Sequence, residues 1–179
     1  MSFLKNYHDK TLKNLLINKF LYKNIKEIPK LQKVTIGFGC KTTELKNLAI
    51  NLLALELITT KRGRLTTTKK SNINLKIRKG QPVGCKVVLQ KKDMFKFLEK
   101  TNIEIFPKLK NLKKTVFNRS LKKNSYSYFL NDTFSFSELE ENYQLFNNFL
   151  TKLNITITIK SYKKTELFFV MKTLQFPFI

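Results

Sequence analysis

Residues 77–89 read Ile77-Arg78-Lys79-Gly80-Gln81-Pro82-Val83-Gly84-Cys85-Lys86-Val87-Val88-Leu89 and combine a turn with a strand. Glycine and proline favour the turn, and apolar side chains then occupy every second position from Val83 to Leu89, as in a strand with one buried face. Around this stretch, Lys61 to Lys92 carry eleven Lys or Arg and no acidic residue. The sequence therefore predicts a folded, densely positive surface whose expected partner is phosphate.

The composition indicates a folded and very basic protein. The 179 residues have a formal net charge of +23, yet 42% are hydrophobic and 16 are Phe, which argues against disorder. The length fits a single domain, residues 1–179. Lys, Asn, Ile and Phe abound while Ala appears twice, a bias that indicates an A/T-rich genome such as that of an organelle.

Catalytic, metal and membrane chemistry have little support. Cys40 and Cys85 are the only cysteines and His8 the only histidine, without metal-like spacing, so neither a metal nor a cofactor is predicted. Two buried reduced thiols are expected, although the sequence leaves a disulfide open. No catalytic constellation or site for a small-molecule substrate is recognisable, and no run approaches the roughly 18 apolar residues of a membrane span. The first 22 residues are interpreted as part of the fold, not as a targeting peptide.

Hydrophobic periodicity predicts alternating helices and strands. Asp93 is expected to cap one helix, and Thr42 or Thr43 another. The first helix should bury Tyr7 and Leu15 among others, and the second should bury Leu45. The predicted elements are a helix at 3–22, a strand at 31–38, a helix at 44–60, an edge strand at 63–67 followed by a flexible loop, a strand at 83–89, a helix at 93–101, an extended segment at 126–136, a strand at 153–160 and a helix at 163–174.

This order predicts an α+β fold, with an antiparallel or mixed sheet and helices packed on one face. The other sheet face, decorated with Lys, would be free for a ligand. The Phe-rich segments 126–136 and 168–178 are interpreted as packing residues in preference to base-stacking platforms. Gly80, Pro82 and Gly84 are expected to shape the turn and to allow close backbone approach.

Four segments, in this order, resemble the large-subunit ribosomal protein family that binds 5S ribosomal RNA in the central protuberance, universal large-subunit protein five. They are residues 28–35 (Ile-Pro-Lys-Leu-Gln-Lys-Val-Thr), residues 76–87 (Lys-Ile-Arg-Lys-Gly-Gln-Pro-Val-Gly-Cys-Lys-Val), residues 153–158 (Leu-Asn-Ile-Thr-Ile-Thr) and residues 176–178 (Phe-Pro-Phe). The resemblance implies a non-enzymatic constituent of the large ribosomal subunit with that family's α+β fold. The implied partners are 5S rRNA or large-subunit rRNA, P-site tRNA and a bridge protein of the small-subunit head.

The resemblance also suggests which residues meet RNA. A loop between the second and third strands would approach the elbow of P-site tRNA, and its hydroxyl, amide and Lys side chains suit sugars and phosphates. Arg78 is expected to clamp a phosphate through two hydrogen bonds. The candidate rRNA-binding residues are Lys30, Lys33, Lys61, Arg62, Arg64, Arg78, Lys79 and Lys86. The candidate tRNA-facing residues are Thr66, Thr67, Thr68, Lys69, Lys70, Ser71, Asn72, Asn74 and Lys76.

The chain departs from bacterial relatives at two positions of the implied 5S-facing surface. Gly37 stands where many of them carry Asn, and Lys61 where they carry Gln. A point charge in place of a directional amide would keep affinity but loosen geometry. With the A/T-type composition, the resemblance predicts a mitochondrial, organelle-encoded ribosomal protein, with a plastid or bacterial cytoplasm as other locations. The alternative function is a general nucleic-acid-packaging or peripheral membrane protein that uses the basic N-terminal helix.

Overall fold

The computed structural model describes residues 2–40, 44–109, 116–121, 124–147, 149–161 and 163–176. The predicted caps Thr42 and Thr43 lie outside these residues. The helices are α1 (Phe3–Tyr7), α2 (Lys13–Phe20), α3 (Leu45–Thr59), α4 (Lys91–Lys100), α5 (Phe106–Lys108), α6 (Ser137–Glu140), α7 (Tyr143–Phe146) and α8 (Lys164–Thr173). The strands are β1 (Lys30–Gly39), β2 (Arg64–Thr67), β3 (Pro82–Gln90), β4 (Val116–Leu121), β5 (Ser125–Leu130) and β6 (Leu153–Lys160).

Within the described residues, six strands form one sheet in the order β2-β3-β1-β6-β5-β4. Strand β2 is antiparallel to β3 and lies at an edge, as predicted. The contacts also show that β5 runs antiparallel to β6, because Ile159 N–H donates to the carbonyl of Asn124 while Ser127 meets Thr156 two to three residues further along. Helices and an antiparallel sheet confirm the predicted α+β class.

Chain contacts divide the protein into two compact units. The first comprises Met1–Val34, Leu89–Tyr128 and Thr156–Ile179, and the second comprises Thr35–Val88 and Phe129–Ile155. The single-domain interpretation stays a prediction. In the first unit the core includes Leu12, Leu16, Met94, Leu98, Tyr128, Ile157 and Met171; in the second it includes Ile36, Leu48, Leu55, Val87, Phe136, Phe146 and Ile155.

The predicted strand patterns are confirmed. Along β1, Val34, Ile36 and Phe38 are buried, while the intervening residues are exposed or half-buried. Strand β6 buries every second residue from Leu153 to Ile159. Such strands have one apolar face against the core and one polar face that can meet a partner.

The first helical region buries a different stripe from the predicted one. His8 is buried and Leu15 is exposed, because a π-helical turn, His8–Leu12, separates α1 from α2. A wider turn places residues four apart on one face, so the buried line becomes Leu4, His8, Leu12 and Leu16.

Two other details of the predicted helices were wrong. Leu45 is 78% exposed, because it is the first residue of α3 and the apolar face of that helix is covered only from Leu48 onwards. Asp93 does not cap α4, whose N-cap is Gln90 at the end of β3; it lies in the first turn. A carboxylate in that turn still interacts favourably with the helix dipole.

Candidate nucleic-acid interface

Three glycines lie on one face of strands β1 and β3, and two of them mark a close approach of the strands. A Cβ at Gly37 would lie 2.8 Å from the carbonyl oxygen of Cys85, and a Cβ at Gly84 would lie 2.6 Å from that of Phe38. A Cβ at Gly39 would meet nothing within 4 Å. These three residues, here called the glycine face, leave bare backbone over a patch of the sheet. The expected close backbone approach at Gly84 is confirmed.

Two cations adjoin the glycine face. Arg64 on β2 is the register partner of Lys86 on β3, so their side chains lie on the same side of the sheet. Lys86 alternates with the buried Cys85 and Val87, which places it on the opposite side from the core. A Cβ at Gly37 would lie 3.5 Å from that of Lys86, so the glycine face and the cations are contiguous.

The connection from α3 to β2 brings Lys61 and Arg62 to the start of the same strand. The Glu56 carboxylate accepts a hydrogen bond from Gly63 N–H at 2.9 Å, which fixes this connection. Gly63 is needed there because a Cβ would lie 2.5 Å from Leu52 Cδ1. Lys61 and Arg62 are both exposed.

The predicted tRNA-facing loop is a hydrogen-bonded hairpin tip, residues 68–81. Thr68 N–H donates to the carbonyl of Gln81 at 3.0 Å, and Asn72 and Ile77 exchange backbone hydrogen bonds of 2.9 and 3.0 Å. Gly80 has φ of +87°, a conformation that favours glycine, which confirms its predicted role in the turn. The flexibility of this loop stays a prediction.

Side chains also hold the hairpin tip. The Thr68 hydroxyl donates to the carbonyl of Arg78 at 2.8 Å, and Gln81 Oε1 accepts from Arg78 N–H at 2.9 Å. Ile77 is only 5% exposed, whereas Ile73 is 90% exposed. The tip therefore has an internal anchor and an outward apolar residue.

The predicted site residues fall into three groups. Arg64, Thr66 and Lys86 meet beside the glycine face, and Thr66 and Thr67 belong to β2, not to the loop. The exposed residues of the hairpin tip include Lys69, Lys70, Ser71, Asn72, Asn74, Lys76, Arg78 and Lys79. Lys30 and Lys33 are exposed on β1 within the first unit.

Sequence reasoning missed Gly39 and the contact between Gly84 and Thr66. The Thr66 hydroxyl oxygen lies 3.0 Å from where a Cβ of Gly84 would be, so this hydroxyl is part of the glycine face's border. The available signal was Gly37-Phe38-Gly39, because glycine at alternate positions of a strand removes side chains from one face only.

The thiols and the histidine do not form a reactive centre. Cys40 and Cys85 are free and buried, and burial raises the pKa of the Cys85 thiol to about 12 and that of Cys40 as well. Burial lowers the pKa of His8, opposed by a 3.2 Å contact with the Asp9 carboxylate. Among the described residues, no group of three or more His, Cys, Asp or Glu could hold a metal ion.

Comparison with known proteins identifies the family. The family model for the C-terminus of the ribosomal uL5 proteins matches residues 82–178. Over 179 residues, the chain is 32% identical to large ribosomal subunit protein uL5m of Reclinomonas americana, covering 99% of this chain and 98% of the relative. It is 30% identical to uL5 of Blochmanniella floridana over 183 residues, with coverages of 99% and 93%. The chain belongs to the uL5 family of large ribosomal subunit proteins.

The uL5 relatives extend the match beyond the C-terminal region. A third relative, uL5 of Malacoplasma penetrans, is 32% identical over 183 residues, which cover 99% of this chain and 95% of the relative. The family-wide match begins at Pro82, the first residue of β3, whereas these full-length matches include β2 and the hairpin tip. Members of the family are structural proteins of the ribosome, so the predicted absence of enzymatic activity is confirmed by membership. No helix among the described residues is long and apolar enough to cross a membrane.

Proposed function

We propose that this uL5 protein is a structural constituent of a mitochondrial large ribosomal subunit, where it binds 5S rRNA or large-subunit rRNA through the glycine face. The observation that carries this proposal is the bare backbone of Gly37, Gly39 and Gly84 beside the paired cations Arg64 and Lys86. A flat surface without side chains allows a sugar-phosphate backbone to approach the strands, and the cations then meet its phosphates.

RNA in particular suits this surface. An A-form helix has a wide, shallow minor groove that displays 2′-hydroxyls, and a flat patch of strand backbone can approach such a groove. The Thr66 hydroxyl at the border can donate to or accept from a 2′-hydroxyl. Lys61, Arg62, Arg78 and Lys79 would add phosphate contacts in the same unit. Lys30 and Lys33 are proposed as further rRNA contacts in the other unit.

The hairpin tip is proposed to touch P-site tRNA. Its outward side chains are hydroxyls, amides and Lys, and no acidic residue lies between Lys61 and Lys92 to oppose binding to an anion. The internal hydrogen bonds of the tip keep its shape without using these outward groups. A tip of this kind can make and release a contact without disturbing the sheet.

The contact with the small-subunit head is proposed from family membership. One segment suits a basic neighbour: residues 124–151 carry Asp132, Glu138, Glu140 and Glu141 and no Lys or Arg. A mitochondrial location is supported by the uL5m relative and by the A/T-type composition. The uL5 relatives from bacteria make a bacterial ribosome the outcome to test against.

Fractionation tests the proposed function. Mitochondria are purified from the source cells, large subunits are isolated on gradients at moderate salt, and the protein is quantified by mass spectrometry. We expect it near one copy per large subunit. Its presence only in free, membrane or cytosolic-ribosome fractions would contradict the proposal. Extraction of RNA from affinity-purified protein, followed by sequencing, tells 5S rRNA from large-subunit rRNA.

A further inference from the structure

A groove between α2 and α8, both in the first unit, combines aromatic rings with lysines. Its volume is about 710 Å³, within the range of roughly 300–1,000 Å³ of pockets that hold small ligands. Lys19 Nζ lies 4.3 Å from the centre of the Phe169 ring and 5.9 Å from that of Phe20. The two rings meet edge to face at 5.7 Å. The floor of the groove is therefore a fixed aromatic pair that holds one cation.

The charge along the groove is positive. Lys163, Lys164 and Lys172 line it together with Lys19, and all four are exposed. Glu166 lies nearby in sequence but does not line the groove; it is buried, and its Oε2 accepts a hydrogen bond from Lys163 N–H at the start of α8. The lining thus has four cations and no carboxylate, so an anionic occupant is favoured.

The exposed ring of Phe168 narrows the class of anion. This side chain is 46% exposed and lines the groove among the lysines. Bases in a duplex are stacked on one another, whereas unpaired bases can stack on an aromatic ring while their phosphates meet Lys. A membrane surface would instead need a broad apolar face, and the groove offers a ring set among charges.

We propose that this groove binds unpaired RNA, with a base against Phe168 and the adjoining phosphates against Lys163, Lys164 and Lys172. The site goes beyond the proposed function of the glycine face. It gives the protein a second RNA contact with a different preference: single-stranded nucleotides here, and the surface of folded RNA at the sheet.

Binding of the full-length protein to a ten-nucleotide oligouridine tests the proposal, with a ten-base-pair RNA duplex as the second probe. Phe168→Leu should weaken oligouridine binding by at least about 5-fold, the lower end of the contribution of one stacked base, and should change duplex binding less. Phe168→Tyr should retain binding because it keeps the ring. Changing the three lysines together to Gln should lower the log–log salt slope by about 2.

Matched controls keep the surface and charge changes equal. Phe3→Leu alters another exposed ring, and Lys5, Lys10 and Lys26 changed together to Gln remove the same charge. All variants are repeated in a Gly39→Ile background, so failure of the glycine-face proposal leaves this test readable. Unchanged binding by the groove variants, equal losses in the controls, or a loss confined to phosphatidylserine vesicles would each overturn the proposal.

Crosslinking locates the site without a substitution. Oligouridine carrying 5-iodouridine is irradiated with the wild-type protein, and the tryptic peptides are mapped by mass spectrometry. We expect adducts in the peptide 165–172, which contains Phe168 and Phe169. Adducts elsewhere with none in this peptide would overturn the proposal.

Discussion

The glycine face and the hairpin tip both present cations without acidic neighbours, but they are held in different ways. At the glycine face the position of each strand is set by its neighbour, since a Cβ at Gly84 would nearly touch the carbonyl oxygen of Phe38. At the hairpin tip, hydrogen bonds within residues 68–81 set the shape, and Ile73 extends into solvent. A surface that depends on long-range packing suits a permanent contact, whereas a locally held tip suits a transient one.

The largest expected effect is on the fold at the glycine face. Gly84→Val places a branched side chain where a Cβ alone would lie 2.6 Å from one backbone oxygen and 3.0 Å from the Thr66 hydroxyl. Strands β1 and β3 must separate, so the free energy of unfolding should fall by about 3 kcal/mol. Urea denaturation measures this change. Gly39→Ala is the matched control, because its Cβ meets nothing and its effect should stay within about 0.5 kcal/mol. Equal losses in both would show that the strands are not in close contact.

The next effect is electrostatic and separates charge from shape. Changing Lys61, Arg62, Arg64, Lys76, Arg78 and Lys79 together to Gln should greatly flatten the salt dependence of RNA binding. If about six phosphates are neutralised, the wild-type log–log slope is near −4 to −5, at roughly 0.7–0.9 per contact. Filter binding of the isolated protein to 5S rRNA at several salt concentrations measures the slope. A slope like that of the wild type would place the RNA surface elsewhere.

A smaller effect tests the bare backbone itself. Gly39→Ile adds a side chain that points away from the core, as its neighbour Phe38 is buried, and it meets no protein atom within 4 Å of its Cβ. The fold should remain, but RNA can no longer approach the strands, so affinity for 5S rRNA should fall by about tenfold, or 1.4 kcal/mol. Leu45→Ile, at an exposed position of α3, is the control. Full RNA binding by Gly39→Ile would mean that the glycines serve strand packing only.

The contrast between the two regions also explains what the sequence could predict. Alternation from Leu153 to Ile159 and from Cys85 to Leu89 identified the buried faces, because burial follows the two-residue period of a strand. The glycine face was found only in part, since a sequence does not show which strand lies beside β1 and hence which glycines meet. The buried His8 was missed because the π-helical turn changes the helical period locally.

The smallest effect on stability, and the most specific one on function, is expected at the hairpin tip. Lys69→Gln, Lys70→Gln and Ile73→Ser together remove its outward groups but leave in place the backbone hydrogen bonds that join Thr68, Asn72, Ile77 and Gly80 to their partners. The free energy of unfolding should therefore change by less than about 0.5 kcal/mol, and the protein should enter large subunits normally. Retention of P-site tRNA, measured by nitrocellulose filtration of reconstituted ribosomes, should fall.

Ile77→Ser is the matched control for that triple variant. It alters the buried anchor of the same tip, so it should lower the protection of the Thr68 and Asn72 amides in hydrogen exchange, which the triple variant should leave unchanged. If the triple variant instead failed to assemble while bound tRNA stayed normal on the few subunits formed, the tip would be an rRNA anchor. In that case the local hydrogen bonds would serve a permanent contact, and the distinction between the two regions would be one of fold only.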